Sequence, residues 1–458
     1  MIDESSQLTL IALIAGLLLN WDGIRLRMEP LSGALAEELE RIASRLQNAG
    51  TEPELSLAID DLLDLTRDTQ AYTYVQDLVR RSSPGVSGNT RELAMSREIG
   101  KRASAPAYAL PGAPPAIAAS GLAEIRESSG ALASIITTDS GIARVPIFFA
   151  TNRSKTSRTD APFNDAPAAK LTYGTASVSI PVDKHKLGKV ETPHWWTLFP
   201  SVGAEQRFIA MGNVELLEQP AFATRLASTI QGAGTNDLLV FVHGYNVGFE
   251  EGARRAAQIA FDMNFPGAVV LFSWPSSGSF TCYSSDEERA FASADRFAAF
   301  LKSLENGPWR RVHVMAHSMG NRVMLLGLAD NARPRLPLGQ VVFTAADVYV
   351  PLFEDKFPKL QDAGQLPATS YASSRDWPLR LSSMLHRGPR VGLIADAPYV
   401  APMLETVDAS SVDTVFLGHG YFAGERSLIT DLRLLLLNNL SPTDRGLATA
   451  KGYWFFRE

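Results

Sequence analysis

The chain has 458 residues, 45% hydrophobic and 20% charged, a globular composition that excludes a disordered, fibrous or membrane-embedded chain and is long enough for one large unit of roughly 250 to 300 residues plus a second region. A net charge of -6 leaves no basic footprint for a phosphate backbone, so nucleic acid is not an expected partner. Cys282 is the only cysteine, which excludes an internal disulfide and a thiolate zinc site and points to a reducing, cytoplasmic setting.

Residues 1–81 carry helical periodicity. Leu35, Leu39, Ile42 and Leu46 recur at helical spacing, as do Leu55, Ile59, Leu62, Leu63 and Leu65 more loosely. The apolar stretch Leu8–Leu19 follows Asp3 and Glu4 rather than Lys or Arg, which argues against a secretory signal. It is shorter than the roughly 20 residues a spanning helix needs, so a buried or interfacial helix is expected. This region is the natural place for an oligomerisation, partner-binding or membrane-surface contact. Residues 82–120 turn rich in Ser, Gly, Pro and Ala, and the run from Ala105 to Pro115 cannot hold a regular helix, which makes this stretch a linker.

Residues 121–458 are expected to form the second unit, with a strand-rich entrance over 142–200 that includes Val145–Ala150 and Ala176–Ile180. From Leu238 the chain repeats a buried strand, a turn and a helix, the pattern of a mostly parallel α/β sheet covered by helices on both faces. The expected strands are Leu238–Val242, Ala268–Ser273, Val312–Ala316, Gln340–Ala345, Thr369–Ser373 and Thr414–Leu417. Helices are expected at Phe249–Asp262, Asp286–Leu304, Met319–Asp330 and Glu425–Leu437. No repeat of 20 to 50 residues is visible, which excludes a solenoid.

One of these junctions carries chemistry. Val312-His-Val-Met-Ala-His317-Ser318-Met-Gly320 runs a strand through Ala-His-Ser-Met-Gly into a helix. That is a nucleophile elbow with Ala316 in place of the first glycine, and small flanking residues are needed because the serine sits in a strained turn. His317 and Gly320 support the turn. A serine hydroxyl is a weak nucleophile and needs an imidazole base oriented by a carboxylate. Of the seven histidines, only His386 and His419 follow Ser318, the order expected where nucleophile, acid and base come in that sequence. His419 lies between two glycines after the expected last strand and is preferred as base, leaving His386 a surface residue. The acid is Asp376 or Asp347, both at expected strand ends. Asp376 is preferred because the acid usually follows the next-to-last strand, with Asp347 ordering a loop or facing substrate. Asp355 and Asp431 read as solvated helix faces.

An oxyanion formed on attack needs preorganised N–H donors. The backbone of Met319 and, in the loop His243-Gly244-Tyr245-Asn246, that of Tyr245 are the expected donors, with Gly244 providing a sharp turn. His243 is expected to shape this loop. Phe148, Phe149, Trp195, Trp196, Trp274 and Phe280 fit a core better than an acyl pocket.

Together with Phe149-Ala-Thr-Asn-Arg153, Leu171-Thr-Tyr-Gly174, Val178-Ser-Ile-Pro181, Phe241-Val-His-Gly-Tyr-Asn246 and Phe272-Ser-Trp-Pro-Ser276, these residues resemble the bacterial alpha/beta-hydrolase family catalogued as domain of unknown function nine hundred, from about Val145 to Phe422. Ala345-Ala-Asp-Val-Tyr349 resembles that family's Ala-Pro-Asp-x-Asp stretch but has Ala346 for the proline and Tyr349 for the second aspartate. The resemblance implies the alpha/beta-hydrolase fold and a triad of Ser318, Asp376 and His419. The expected activity is hydrolysis of a small-molecule carboxylic ester or related acyl compound through an acyl-enzyme, chemistry that requires no metal or organic cofactor. A thioesterase, lactonase or amidase would use the same machinery, and the alternative is an N-terminal interaction module with the hydrolase as its effector.

Overall fold

In this computed structural model the described residues are 52–67, 69–82, 136–139, 141–158, 161–182, 185, 209–232, 235–277, 283–330, 335–361, 366–386, 388–412 and 425–457, with scattered positions between 17 and 46. The chain divides into two compact units, Met1–Ile125 and Arg126–Glu458. The expected linker over 82–120 lies outside the described residues, apart from Ser82 at the end of a helix.

The first unit is helical. Helix α1 (Glu52–Thr66) and helix α2 (Ala71–Ser82) bury Ala58, Ile59 and Leu62 of one and Ala71 and Val75 of the other. The break between them is stabilised locally, because the Thr69 hydroxyl accepts the Ala71 N–H at 3.1 Å and satisfies a donor the first turn leaves orphaned. Leu39, Ile42 and Leu46 are buried as their spacing predicts, whereas Leu35 is exposed. The guanidinium of Arg27 lies 3.8 Å from the centre of the Tyr74 ring, a cation–π contact. Of the apolar stretch Leu8–Leu19, Leu17 is described and buried. No helix among the described residues is long and apolar enough to cross a membrane.

The second unit is built on a sheet of β1 (Thr137–Asp139), β2 (Ile142–Lys155), β3 (Phe163–Pro181), β4 (Ala210–Leu217), β5 (Asp237–Val242), β6 (Ala268–Ser273), β7 (Arg311–His317), β8 (Leu338–Thr344), β9 (Ala368–Ala372), β10 (Leu404–Asp408), β11 (Ala448–Ala450) and β12 (Tyr453–Phe455). Their spatial order is β11-β12-β10-β9-β8-β7-β5-β6-β2-β3-β4, with β1 paired to β2. From β2 to β12 through β6, β5, β7, β8, β9 and β10 every pairing is parallel. The antiparallel pairs β1/β2, β2/β3, β3/β4 and β11/β12 close the two ends.

The helices between strands are α3 (Gln219–Gly232), α4 (Phe249–Asp262), α5 (Tyr283–Ser303), α6 (Gly320–Ala329), α7 (Val350–Gln361), α8 (Trp377–Leu385) and α9 (Glu425–Asn438). Strand side chains alternate between faces, and two cores follow. Leu238, Val240 and Val242 pack with Phe222 of α3, Phe297 and Phe300 of α5, Val323 of α6 and Phe353 of α7. Leu239 and Phe241 pack with Phe249 and Ala256 of α4 and Leu432 of α9. Both faces of the sheet are therefore dry, which is why its central strands read as unbroken apolar runs. Each fully buried Leu or Phe stabilises the unit by about 1.5–3 kcal/mol.

The expected strand at Thr414–Leu417 lies outside the described residues. The strand beside β9 is instead β10, whose sequence LETVD carries no apolar run. Asp431 is not a solvated helix residue: it is buried, accepting the Tyr371 hydroxyl and Arg445 Nε, the latter at 2.8 Å.

Candidate active site

Strand β7 ends at His317 and α6 starts at Gly320, so Ser318 occupies the turn between them. Its φ is +50°, in the left-handed region that a non-glycine residue adopts only when its surroundings hold it there. Several bonds do so. The Ser318 N–H donates to Thr344 O at 3.0 Å, and its carbonyl accepts Asn321 N–H at 3.1 Å and Asp347 N–H at 3.2 Å. Asn321 Nδ2 adds bonds to Ser318 O at 2.9 Å and Thr344 O at 3.0 Å. The elbow is thus tied sideways to the end of β8.

The loop after β5 crosses this turn at close range. A methyl at Gly244 would lie 2.7 Å from His317 Nδ1 and 3.0 Å from Ser318 Cβ, and one at Gly320 would lie 2.3 Å from His243 O. The requirement at Gly244 is therefore close approach and not the sharp turn expected there: positive φ falls at Asn246, at +58°. Ala316 carries its methyl without such a clash and lies fully buried on β7.

Tyr245 follows Gly244 in this loop, and its ring packs against Tyr283 with centroids 5.2 Å apart. Met319 is the N-cap of α6 and is buried. Asp376 lies four residues beyond β9, fully buried, as the N-cap of α8: its carboxylate accepts the Leu379 N–H at 2.9 Å. Asp347 follows β8. The parallel order β7-β8-β9 sets Ser318, Asp347 and Asp376 at neighbouring strand ends on one edge of the sheet. His419 lies outside the described residues, as do Trp195, Trp196 and Phe280. Phe148, Phe149 and Trp274 are core.

The two aspartates live differently. Asp347 is enclosed by Arg322 at 3.3 Å, Arg390 at 3.4 Å, the Ser382 hydroxyl at 2.5 Å and the Tyr283 hydroxyl. Burial pushes its carboxyl up, but Arg322 and Arg390, helped by the two hydroxyls, outweigh that and hold it below the ordinary carboxylate range. Arg322 also donates to Asp347 O at 2.6 Å, to Tyr283 Oη at 3.1 Å and to Glu287. Burial disfavours its charge, but Asp347, Tyr283 and Glu287 more than compensate and raise its pKa. His386 is exposed, as expected of a surface residue, and its ring bonds Glu287 at 2.8 Å and Ser382 O at 3.0 Å.

His243 shapes the loop as expected. Its Nδ1 is 2.8 Å from Gly244 O, its Nε2 is 3.1 Å from Ser273 Oγ, and its ring stacks on Trp274, whose indole N–H donates to His243 O at 2.8 Å. Burial, with the charge of Arg153, lowers its pKa to about 3, so the ring is neutral. Sequence reasoning missed the cluster residues Arg322, Arg390 and Tyr283. The one local signal is Arg322 itself, one helical turn beyond Ser318 on α6. Among the described residues no group of His, Cys, Asp or Glu could hold a metal ion.

A mostly parallel sheet with helices on both faces and a strained serine at a strand-to-helix turn defines an alpha/beta hydrolase. Residues 218–436 match the family described as alpha/beta hydrolase of unknown function (DUF900). The match begins after the stretches at 149–153 and 171–181 that share in the resemblance. No curated protein matches the chain. Among solved structures it is similar to LpqC, a poly(3-hydroxybutyrate) depolymerase from Bordetella parapertussis, at 15% identity over 46% of this chain and 83% of that one, with a TM-score of 0.26.

Proposed function

We propose that the protein is a serine hydrolase of carboxylic esters or related acyl bonds, with Ser318 as nucleophile, Asp376 as the orienting acid and His419 as the base. The observation that carries this reading is the strained Ser318 at φ +50° between β7 and α6, a conformation with a cost of about 1–3 kcal/mol at the strand-to-helix turn where a nucleophile elbow holds its serine.

His419 takes the hydroxyl proton as Ser318 Oγ attacks the acyl carbon. The tetrahedral oxyanion is stabilised by the N–H groups of Met319 and Tyr245, and the leaving alcohol departs with the proton from His419. Water, activated by the same histidine, then releases the acid from the acyl-serine. Asp376 is favoured over Asp347 as the acid because the carboxylate of Asp347 is already engaged by two arginines and two hydroxyls. Thioesters, lactones and amides enter the same scheme, and the leaving group and pocket shape decide between them.

The test is covalent labelling with a fluorophosphonate probe, read by mass spectrometry of the modified peptide. Label on Ser318, abolished in Ser318→Ala together with turnover of a short-chain nitrophenyl ester, is the expected result. Equal turnover by both proteins would sink the assignment.

A further inference from the structure

Arg153 is the last residue of Phe149-Ala-Thr-Asn-Arg153, a stretch to which the hydrolytic scheme gives no task. It sits on β2, 2% exposed, with its guanidinium beneath the loops that follow β5 and β6. It donates to Val247 O at 2.7 Å, Ser276 O at 3.0 Å, Asn164 O at 3.4 Å and Ser273 Oγ at 2.9 Å, and lies 3.5 Å from His243 Nε2. Ser276 links it to Asp286, whose carboxylate accepts the Ser276 hydroxyl at 2.7 Å. Burial lowers the Arg153 pKa to about 10, which leaves it charged at neutral pH.

These contacts have a direction. A guanidinium has donors and no acceptor, so the Ser273 oxygen accepts from Arg153 Nε and its proton is free to go to His243 Nε2 at 3.1 Å. An Nε2 that accepts is unprotonated. In a neutral ring the proton then sits on Nδ1, where it donates to Gly244 O at 2.8 Å. Across a planar trans peptide the carbonyl and the next N–H point in opposite directions. With the Gly244 carbonyl held by the buried His243 ring, the Tyr245 N–H is aimed away from that ring.

We propose that Arg153 is a positioning residue for the oxyanion loop: through Ser273 it sets the tautomer of His243, and His243 sets the orientation of the Gly244–Tyr245 peptide. This rests on reading Ser318 as the nucleophile and the Tyr245 N–H as a donor to the oxyanion. Its electrostatic requirement is a donor-only group at position 153, which a lysine also satisfies.

The test uses the full chain with its histidines labelled with nitrogen-15. In the wild type the His243 ring is expected as the Nδ1–H tautomer by long-range proton–nitrogen correlation. Arg153→Met and Ser273→Ala should convert it wholly or partly to Nε2–H and lower kcat on a nitrophenyl ester about 100-fold, the scale of losing one oxyanion donor. KM should stay within about twofold, since the donor acts on the transition state and not on bound substrate. Arg153→Lys should keep the Nδ1–H tautomer and most of kcat. An unchanged tautomer in Ser273→Ala, unchanged kcat, or a loss shared equally by kcat and KM overturns the proposal. Ser273→Ala removes a single hydroxyl and carries the test where Arg153→Met does not fold. A wild type that fluorophosphonate fails to label at Ser318 defeats the nucleophile assignment instead, and the tautomer measurement still decides whether Arg153 controls the loop.

Discussion

Substituting each of the two strand-end aspartates by asparagine should separate a catalytic acid from a structural clamp. In Asp347→Asn the volume is kept and the charge lost, leaving Arg322 and Arg390, both under 4% exposed, facing a neutral amide where they now face a carboxylate at 3.3 and 3.4 Å. Breaking a buried pair from one side costs about 3–5 kcal/mol, because the stranded charge has no solvent to turn to. For a unit of this size roughly 2 °C per kcal/mol gives a melting temperature about 6–10 °C lower. Asp376→Asn has the opposite profile. Asparagine caps a helix as well as aspartate does, so the bond to Leu379 N–H survives and stability should stay within about 1 kcal/mol. Losing the orienting carboxylate leaves the base in the wrong tautomer, a loss of about 10⁴ in kcat. Thermal melts by circular dichroism and initial rates on a nitrophenyl ester measure both. If Asp347→Asn melts within about 0.5 kcal/mol of wild type while losing activity, and Asp376→Asn retains activity, the acid is Asp347 and the reasoning is refuted.

Gly320→Ala should cost about 1–3 kcal/mol in urea titrations and lower kcat, since its methyl would lie 2.3 Å from His243 O and 2.9 Å from Val242 O, both backbone atoms; wild-type stability would show that the loop and helix are not interlocked. The folded-state pKa of Asp347 is depressed, so its contribution to stability is complete above the unfolded value of about 3.9 and is lost as pH falls through the folded one. Urea midpoints should accordingly fall more steeply below about pH 4 in wild type than in Asp347→Asn, and parallel curves would contradict this. Tyr371→Phe removes the hydroxyl donated to buried Asp431 while Arg445 stays at 2.8 Å, a loss of about 1–3 kcal/mol that denaturant titration should register.

What could be read ahead from the sequence follows from how local each cause is. Strands β5 and β6 and helix α4 fall where their apolar patterns put them, because a strand dry on both faces advertises itself in its own residues. The Ser318 elbow is legible for the same reason: its needs are small neighbours and a strand-to-helix junction. Strand β10 is not, because Glu405 and Thr406 become tolerable there only through Arg445 and Tyr399 O, groups supplied by other segments. Helix α7 is hidden by Pro358, which reads as a breaker. Asp431 fails as a solvated helix residue and Arg322 goes unread for one reason: a charge reads as exposed until the partner that permits its burial is known.

Two of the buried arginines around the elbow, Arg153 and Arg322, share a design that stability alone does not explain, since apolar groups of similar volume often serve a core as well or better. Each ends on backbone carbonyls of loops at the sheet edge: Arg153 on Val247 and Ser276, Arg322 on Asp347. Those carbonyls lie beyond the ends of the strands, where ladder bonds stop, and a buried one still demands a donor. A planar guanidinium offers five N–H groups in fixed geometry, so one side chain can satisfy several loops and hold them in mutual register. Arg153 does this for the loops after β5 and β6, and Arg322 for the one after β8, on either side of Ser318. The geometry of the loops around Ser318 is thereby imposed from beneath, by side chains buried under them.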